Sequence, residues 1–233
     1  MKLLQFSTSH YCRKARLALG YKGIAYTVEN LTPGLHAVRL KPMTGLTTLP
    51  VLLPGLADQP QAIADSSEIL RFLQTYQPEP SYSLSEPKLQ AEAWMLEDWL
   101  DESIGIATRF VYYDFRAHEG KSLDPSFASQ LVIQVVRKQY GINPTTVALA
   151  EKRLAIALEA LSYRWQSPYL LGNQFSVADI AAAALLSPLA RIPAYQTRYP
   201  WLFQRIAEIH ELCREPFPPG MESFTSSVES SYR

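Results

Sequence analysis

The stretch Ser9-His10-Tyr11-Cys12 lies between a short apolar run, Leu3, Leu4 and Phe6, and a run that reads Arg13-Lys14-Ala15-Arg16-Leu17-Ala18-Leu19. A strand that stops at a small hydroxyl residue and restarts as a helix marks a helix N-terminus. The first N–H groups of such a helix have no intrahelical acceptor, and the aligned peptide dipoles leave partial positive charge there, so an anion at the turn is favoured. Ser9 can cap the helix or face that anion. Cys12, about one turn further on, would feel the same field, which lowers a thiol pKa.

The residues after this helix, Ala25-Tyr26-Thr27-Val28-Glu29, alternate as a strand does, so the chain opens with a βαβ unit. Right-handed crossover makes the two strands parallel neighbours, with the Ser9 turn at the carboxyl end of the first, where open α/β sheets bind ligands. A loop with a short helix around His36 to Leu40 is expected next. Pro50 then enters the apolar run Val51-Leu52-Leu53; a proline cannot donate to a sheet ladder and so marks a strand start or an edge. Turn residues at Pro54-Gly55 and Asp58-Gln59-Pro60 lead to a short strand, Ala62 to Ala64, in an antiparallel hairpin. Asp65-Ser66-Ser67-Glu68 opens a third helix carrying Ile69, Leu70, Leu73 and Tyr76.

Gln77-Pro78-Glu79-Pro80-Ser81 has the composition of a domain boundary, and beyond it the pattern is wholly helical. Leu89 to about His118 repeats apolar residues at helical spacing beside an acidic face of Glu92, Asp98, Asp101 and Glu102. Asp124-Pro125 and Asn143-Pro144 are cap-and-proline starts, with Gly141 ending the helix between them. Ser176-Val177-Ala178-Asp179 has the form of a capping box ahead of the apolar run Ile180 to Leu189, a helix for the centre of the domain. A last helix spans about Trp201 to Cys213. The expected domains are residues 1–78, a linker 79–87, a helical domain 88–215 and a mobile tail 216–233.

Composition narrows the function. The 233 residues, 47% of them hydrophobic, suffice for a sizeable core, and 22 basic residues balance 22 acidic ones, so no field draws the chain to nucleic acid or anionic lipid. Two distant cysteines and four scattered histidines indicate neither a disulfide framework nor a metal site. The start is too short for a signal-peptide core, and no apolar run nears the roughly 20 residues that cross a bilayer. A cytoplasmic protein is expected, with no membrane partner.

Four landmarks stand in a characteristic order: Ser9-x-x-Cys12 with the Arg13 to Leu19 run, Leu49-Pro50 entering a strand, Asp65-Ser66 opening the third helix, and Ser176-x-x-Asp179 heading a buried helix. Together they resemble the cytosolic glutathione transferase superfamily, and the likeness covers nearly the whole chain. The resemblance implies an α/β plus all-α protein: an N-terminal thioredoxin-like βαβ-ββα domain that binds glutathione, joined to a C-terminal helical bundle, in a homodimer. It implies that Ser9 donates to the glutathione sulfur and holds it as thiolate. Lowering a thiol pKa by about two units takes roughly 2.7 kcal/mol. One charge-assisted hydrogen bond, about 1.5–3 kcal/mol, plus the helix terminus supplies that.

By the same resemblance Pro50 is cis, so that the Leu49 backbone pairs with the cysteinyl part of glutathione, and Asp65 takes the γ-glutamyl ammonium. The Ser66 hydroxyl and nearby helix N–H groups hold its carboxylate. His36, Arg39 and Lys41 are candidates for the glycyl carboxylate. Tyr112 and Tyr113, with Phe110, Arg109 and Arg116 nearby, fall where the family lines its second-substrate pocket. His10 stands where many relatives have proline, and is expected to face solvent.

The implied activity is attack of the glutathione thiolate on a small hydrophobic electrophile, a detoxification chemistry that needs no metal. Two other functions stay open. Cys12 could serve a glutathione-dependent thiol–disulfide exchange, although a buried structural cysteine is the commoner use of such a residue. A binding protein without turnover could also be built on the same scaffold.

Overall fold

The computed structural model of the chain describes residues 1–221. Strand β1 (Lys2–Gln5) leads into helix α1 (His10–Tyr21), then β2 (Thr27–Asn30), α2 (His36–Thr44), β3 (Val51–Leu53), β4 (Ile63–Ala64) and α3 (Ser66–Tyr76). The sheet order is β2-β1-β3-β4, with β1 parallel to β2 and antiparallel to β3, and β3 antiparallel to β4. This is the expected βαβ-ββα arrangement. Leu3 pairs with Val28 and with Leu52, so one register aligns the three strands, and Leu3, Leu4, Val51 and Leu52 are all buried. The short helix expected at His36 to Leu40 runs on to Thr44, with Pro42 inside it, until Gly45 at φ 77° ends it in a conformation that glycine adopts at little cost.

The helical part comprises α4 (Pro87–Trp99), α5 (Gly105–Ala117), α6 (Phe127–Tyr140), α7 (Pro144–Arg164), α8 (Val177–Leu186), α9 (Pro193–Arg198) and α10 (Pro200–Leu212). A π-helical turn, Leu100–Ile104, joins α4 to α5, so the single helix expected over this region is present but wound more loosely at its middle. Helix α6 is capped by Ser126, whose Oγ accepts the Ser129 N–H at 3.3 Å, rather than by Asp124. Asp124 instead accepts the Ser126 N–H. Asn143 and Thr146 cap α7 reciprocally, and Ser176 with Asp179 caps α8, as their spacing predicts. Every residue of α8 is buried. Asp179 also accepts the Leu170 N–H at 2.8 Å, which fixes the preceding loop.

The linker is held by Lys22, whose buried ammonium donates to Gln74 Oε1 and to the carbonyls of Pro78 and Pro80 at 2.7, 3.0 and 2.8 Å. Residues 216–221 pack back on the helical domain. Gln196 Nε2 donates to the Gly220 carbonyl at 2.5 Å and Met221 is buried; the rest of the expected tail, 222–233, lies outside the described residues. Among the described residues no helix is long and apolar enough to cross a membrane.

One core cluster runs through both parts, from Leu3 and Leu17 on the sheet side to Leu185 and Phe203 in the helical part. Close approach at this seam depends on Gly20, where an added methyl carbon would lie 2.0 Å from the Cys213 carbonyl oxygen. Gly20→Ala should therefore destabilise the protein by about 1–3 kcal/mol, despite the better helix propensity of alanine. Urea unfolding of the two proteins side by side measures the difference, and an unchanged or raised midpoint would show that the seam yields.

Candidate functional site

Ser9 is the N-cap of α1. Its backbone is extended, its Oγ accepts the Cys12 N–H at 3.3 Å, and its own N–H donates to the Phe6 carbonyl at 3.1 Å. Ser9 remains partly accessible, whereas Cys12 is wholly buried. Burial pushes the Cys12 thiol pKa up, against the opposing pull of hydrogen bonding from Ser9 and from the Phe6 backbone and of the Arg16 and Arg13 charges. A thiol with a raised pKa and no exposed surface is a poor nucleophile. Of the two residues of this turn, Ser9 and not Cys12 keeps accessible surface.

The Leu49–Pro50 peptide is cis. Asp65 caps α3 with φ 76° and ψ 136°, a region that non-glycine residues rarely occupy and that costs on the order of 1–3 kcal/mol. One of its carboxylate oxygens accepts the N–H groups of Ser67 and Glu68 at 2.8 and 3.2 Å. Two amides that could hold an incoming carboxylate are thus already engaged. Ser66 is buried, and its Oγ donates to Asp101 Oδ1 at 3.5 Å.

Behind this helix start lies a charge cluster. Lys14, fully buried, forms ion pairs with Glu97 and Asp101 and donates to Ser67 Oγ at 3.0 Å, while Ser67 donates to Glu97 Oε1 at 2.7 Å. The acidic face expected on the long helix is therefore not all solvated: Asp101 turns inward to meet Lys14. Sequence periodicity could not place Glu97 or Lys14 in this seam, because a buried ion pair between distant segments has no local pattern. The one available signal was a lysine on the same helical run as buried Leu17 and Ala18. Burial outweighs Lys14 and raises the Asp101 carboxyl to about 6.

His10 corrects the expectation of a solvent-facing turn. It is buried, its Nε2 has no partner within normal hydrogen-bond geometry among the described residues, and burial together with the charges of Arg109 and Arg13 outweighs a backbone contact to Gly105 and holds its pKa well below the usual imidazole value. Tyr11 lies beside it, ring centroids 4.5 Å apart, and donates to the Asp101 carbonyl at 2.9 Å. His36 is partly buried, its ring edge-on to Phe6 at 4.9 Å, with Nδ1 accepting the Gly34 N–H at 3.1 Å. Arg39, an alternative for the same contact, is paired with Glu29 on the surface. On α5, Tyr112 and Tyr113 meet edge to face at 5.4 Å, and the Tyr112 hydroxyl accepts from Arg116 and Arg191 at 3.1 and 3.4 Å.

A turn of this build on a β2-β1-β3-β4 sheet, followed by a helical bundle, has known counterparts. Residues 3–81 match the family of the glutathione S-transferase N-terminal domain. The N-terminal part of the chain is thus similar to glutathione S-transferases, and the fold of the whole chain is shared with them. It is 26% identical over 186 residues to the stringent starvation protein A homolog of Pasteurella multocida (strain Pm70), covering 80% of this chain and 73% of that protein. A glutathione S-transferase from Methylobacterium radiotolerans, solved in complex with glutathione sulfonate, shares the fold with TM-score 0.67 and 22% identity over 95% of this chain and 92% of that one. The β-etherase LigF of Sphingobium sp. strain SYK-6 does so with TM-score 0.69 and 19% identity over 97% and 98%.

The Lys14 cluster ties the α3 start to the helical domain, and its balance depends on pH. A carboxyl raised from 3.8 to about 6 on folding contributes stability that is complete below the unfolded value and is lost as pH rises through the folded one. The loss of unfolding free energy in Asp101→Asn should thus be greater near pH 4 than near pH 7. Chemical denaturation of both proteins at the two pH values tests this; an equal difference at each would show that Asp101 is not held protonated by the fold.

Proposed function

We propose that the protein is a glutathione transferase in which Ser9 stabilises the glutathione thiolate. The observation that carries this reading is the state of the Ser9 hydroxyl. It accepts the Cys12 N–H at 3.3 Å at the N-terminus of a twelve-residue helix, so its own proton is available to donate. Its neighbour Cys12 is held as a neutral thiol, a weak acceptor that competes poorly with a thiolate. A hydroxyl that accepts one hydrogen bond donates the next more strongly, and the helix dipole adds to the same stabilisation. The pre-ionised sulfur then attacks an electrophile held against the helical domain, with Tyr112 and Tyr113 as walls. The relation to a glutathione S-transferase crystallised with glutathione sulfonate supports glutathione as cosubstrate. The strained cap at Asp65, of the kind that recurs at ligand clamps, supports a γ-glutamyl contact there, with Ser66 beside it. A cytoplasmic homodimer is the form in which this activity is proposed.

Ser9→Ala should lower glutathione-dependent turnover of chlorodinitrobenzene by roughly 10- to 100-fold, the worth of one hydrogen bond to a charged sulfur. Glutathione affinity, measured by calorimetry, should change little. Cys12→Ala should keep the activity. Undiminished turnover in Ser9→Ala would remove Ser9 from the role, and loss of turnover in a folded Cys12→Ala would return the chemistry to the thiol.

A second reading, a binding protein without turnover, is favoured by one specific feature. The Ser66 and Ser67 hydroxyls and the Ser67 and Glu68 amides are engaged within the chain, and a relative is named as a starvation protein. Calorimetric titration with glutathione decides between the two: heat of binding supports the transferase, and none at millimolar ligand supports the binding protein.

A further inference from the structure

Beside the Ser9 turn positive charge gathers with no carboxylate paired to it among the described residues. Arg13 of α1, Arg116 of α5 and Arg191 of the turn Ser187–Arg191 lie around Tyr112, with Arg109 of α5 facing Tyr113 beside them, and none has a carboxylate within ion-pair distance among the described residues. Among the described residues Arg13 donates to Ser187 Oγ, at 2.5 Å, and Arg116 to the Tyr112 hydroxyl and to Ser129 Oγ, at 3.1 and 3.2 Å. Both are about 6% exposed, and the Nε atoms of both are buried without a partner. Arg109 is only partly buried; its guanidinium lies 5.1 Å from the Tyr11 ring and 4.4 Å from that of Tyr140. Four acids of the described residues lie around the group; Asp101, paired with Lys14, and Glu102 act on Tyr11 together with Arg109. Glu215 faces Arg13 but is held by Arg16 at 2.6 Å, and Asp124 faces Arg116 from the surface, where it accepts the Ser126 N–H.

Elsewhere the chain pairs Lys14 with Glu97 and Asp101, Arg16 with Glu215 and Arg137 with Asp114, while buried Lys22 is held by three converging neutral oxygens. Burying a cation without a counter-ion costs several kcal/mol, so buried charges are found paired or facing a ligand. Hydroxyl acceptors on serine and tyrosine satisfy geometry and leave the charge. His10 registers the same field: it lies close to both Arg13 and Arg109 and is held neutral. Planar guanidiniums match a carboxylate edge bidentately, and Tyr11, Tyr112, Tyr113 and Tyr140 offer flat apolar faces around them.

We infer that this arginine cluster is a binding site for the carboxylate of an aromatic organic acid, reached past Arg109 and Arg191, with the ring of the acid against the α5 tyrosines. As a ligand the acid follows from the unpaired charge alone. As the second reactant, an anionic rather than a simply hydrophobic electrophile, it rests on the transferase reading above. In that role the thiolate sulfur forms a bond to the substituted ring carbon and chloride leaves with its electron pair, the thiol proton having gone to solvent on ionisation.

The test uses chloronitrobenzoate and its neutral amide, chloronitrobenzamide, in two arms. Without glutathione, calorimetry should give an affinity for the acid at least roughly tenfold above that for the amide, the worth of one charge-assisted hydrogen bond. That preference should fall in Arg109→Gln and in Arg191→Gln, both partly exposed positions, and with rising salt. Equal affinities in the unmodified protein overturn the inference, as does a preference unchanged in both variants. Inorganic phosphate competing as well as the acid would overturn the assignment to an aromatic ligand. In the second arm, with glutathione, release of chloride from the acid in preference to the amide supports both readings. Preferential binding without any chloride release keeps the anion site and removes the transferase.

Discussion

The buried ammonium of Lys14 is the constraint on which the rest of the structure turns. It lies on the helix that Ser9 caps and is satisfied by Glu97 and Asp101 from the helical domain and by Ser67 at the start of α3. Removing one charge from such a group leaves the others buried and uncompensated, which is far costlier than the pair is stabilising. The cluster therefore specifies position: it sets where α1 and α3 begin relative to the α4 to α5 junction. The π-helical turn falls at that junction, and it is there that Asp101 meets Lys14 and the Asp101 carbonyl meets the Tyr11 hydroxyl.

The neighbouring residues on α1 extend the same logic. Arg16 reaches Gln5 and Glu215, each at 2.6 Å, and Arg13 reaches Ser187 at 2.5 Å, so one helix ties the sheet, the last packed segment and the end of α8 together. Three successive kinds of compensation appear along it: full ion pairing at Lys14, a single carboxylate at Arg16, and neutral hydroxyl acceptance at Arg13. Neutral acceptance fills hydrogen-bond positions and leaves the field of the cation intact. That field reaches His10, and with Arg109 it makes the flank of the Ser9 turn electropositive in a protein whose formal net charge is zero.

Much of the fold was legible locally. Alternation in Leu3 to Phe6 and Ala25 to Glu29, the proline at a strand start, and the caps at Asn143 and Ser176 are short-range signals, and the elements they mark are present. What escaped has little periodicity. The six residues of α9 and the turn Glu119–Leu123 are too short to repeat a pattern, and the cap of α6 moved from Asp124 to Ser126 because Pro125 left two adjacent residues able to serve. The landmarks Ser9, Leu49-Pro50 and Asp65-Ser66 were also legible, since each is a backbone feature signalled by its own residue type.

The sequence by itself determined the βαβ-ββα order, the helical second half and the polar groups that open α1 and α3, because capping, turn chemistry and hydrophobic period act over a few residues. Only the tertiary structure decided which charges those groups would face. Asp101 read as one of several acids on a solvated helix, and His10 as a turn residue in water. Packing of α1 against the helical domain buried both and gave Asp101 a lysine and His10 two arginines. Burial and charge compensation depend on segments some ninety residues apart, such as Lys14 and Asp101, and no pattern within either segment carries that information.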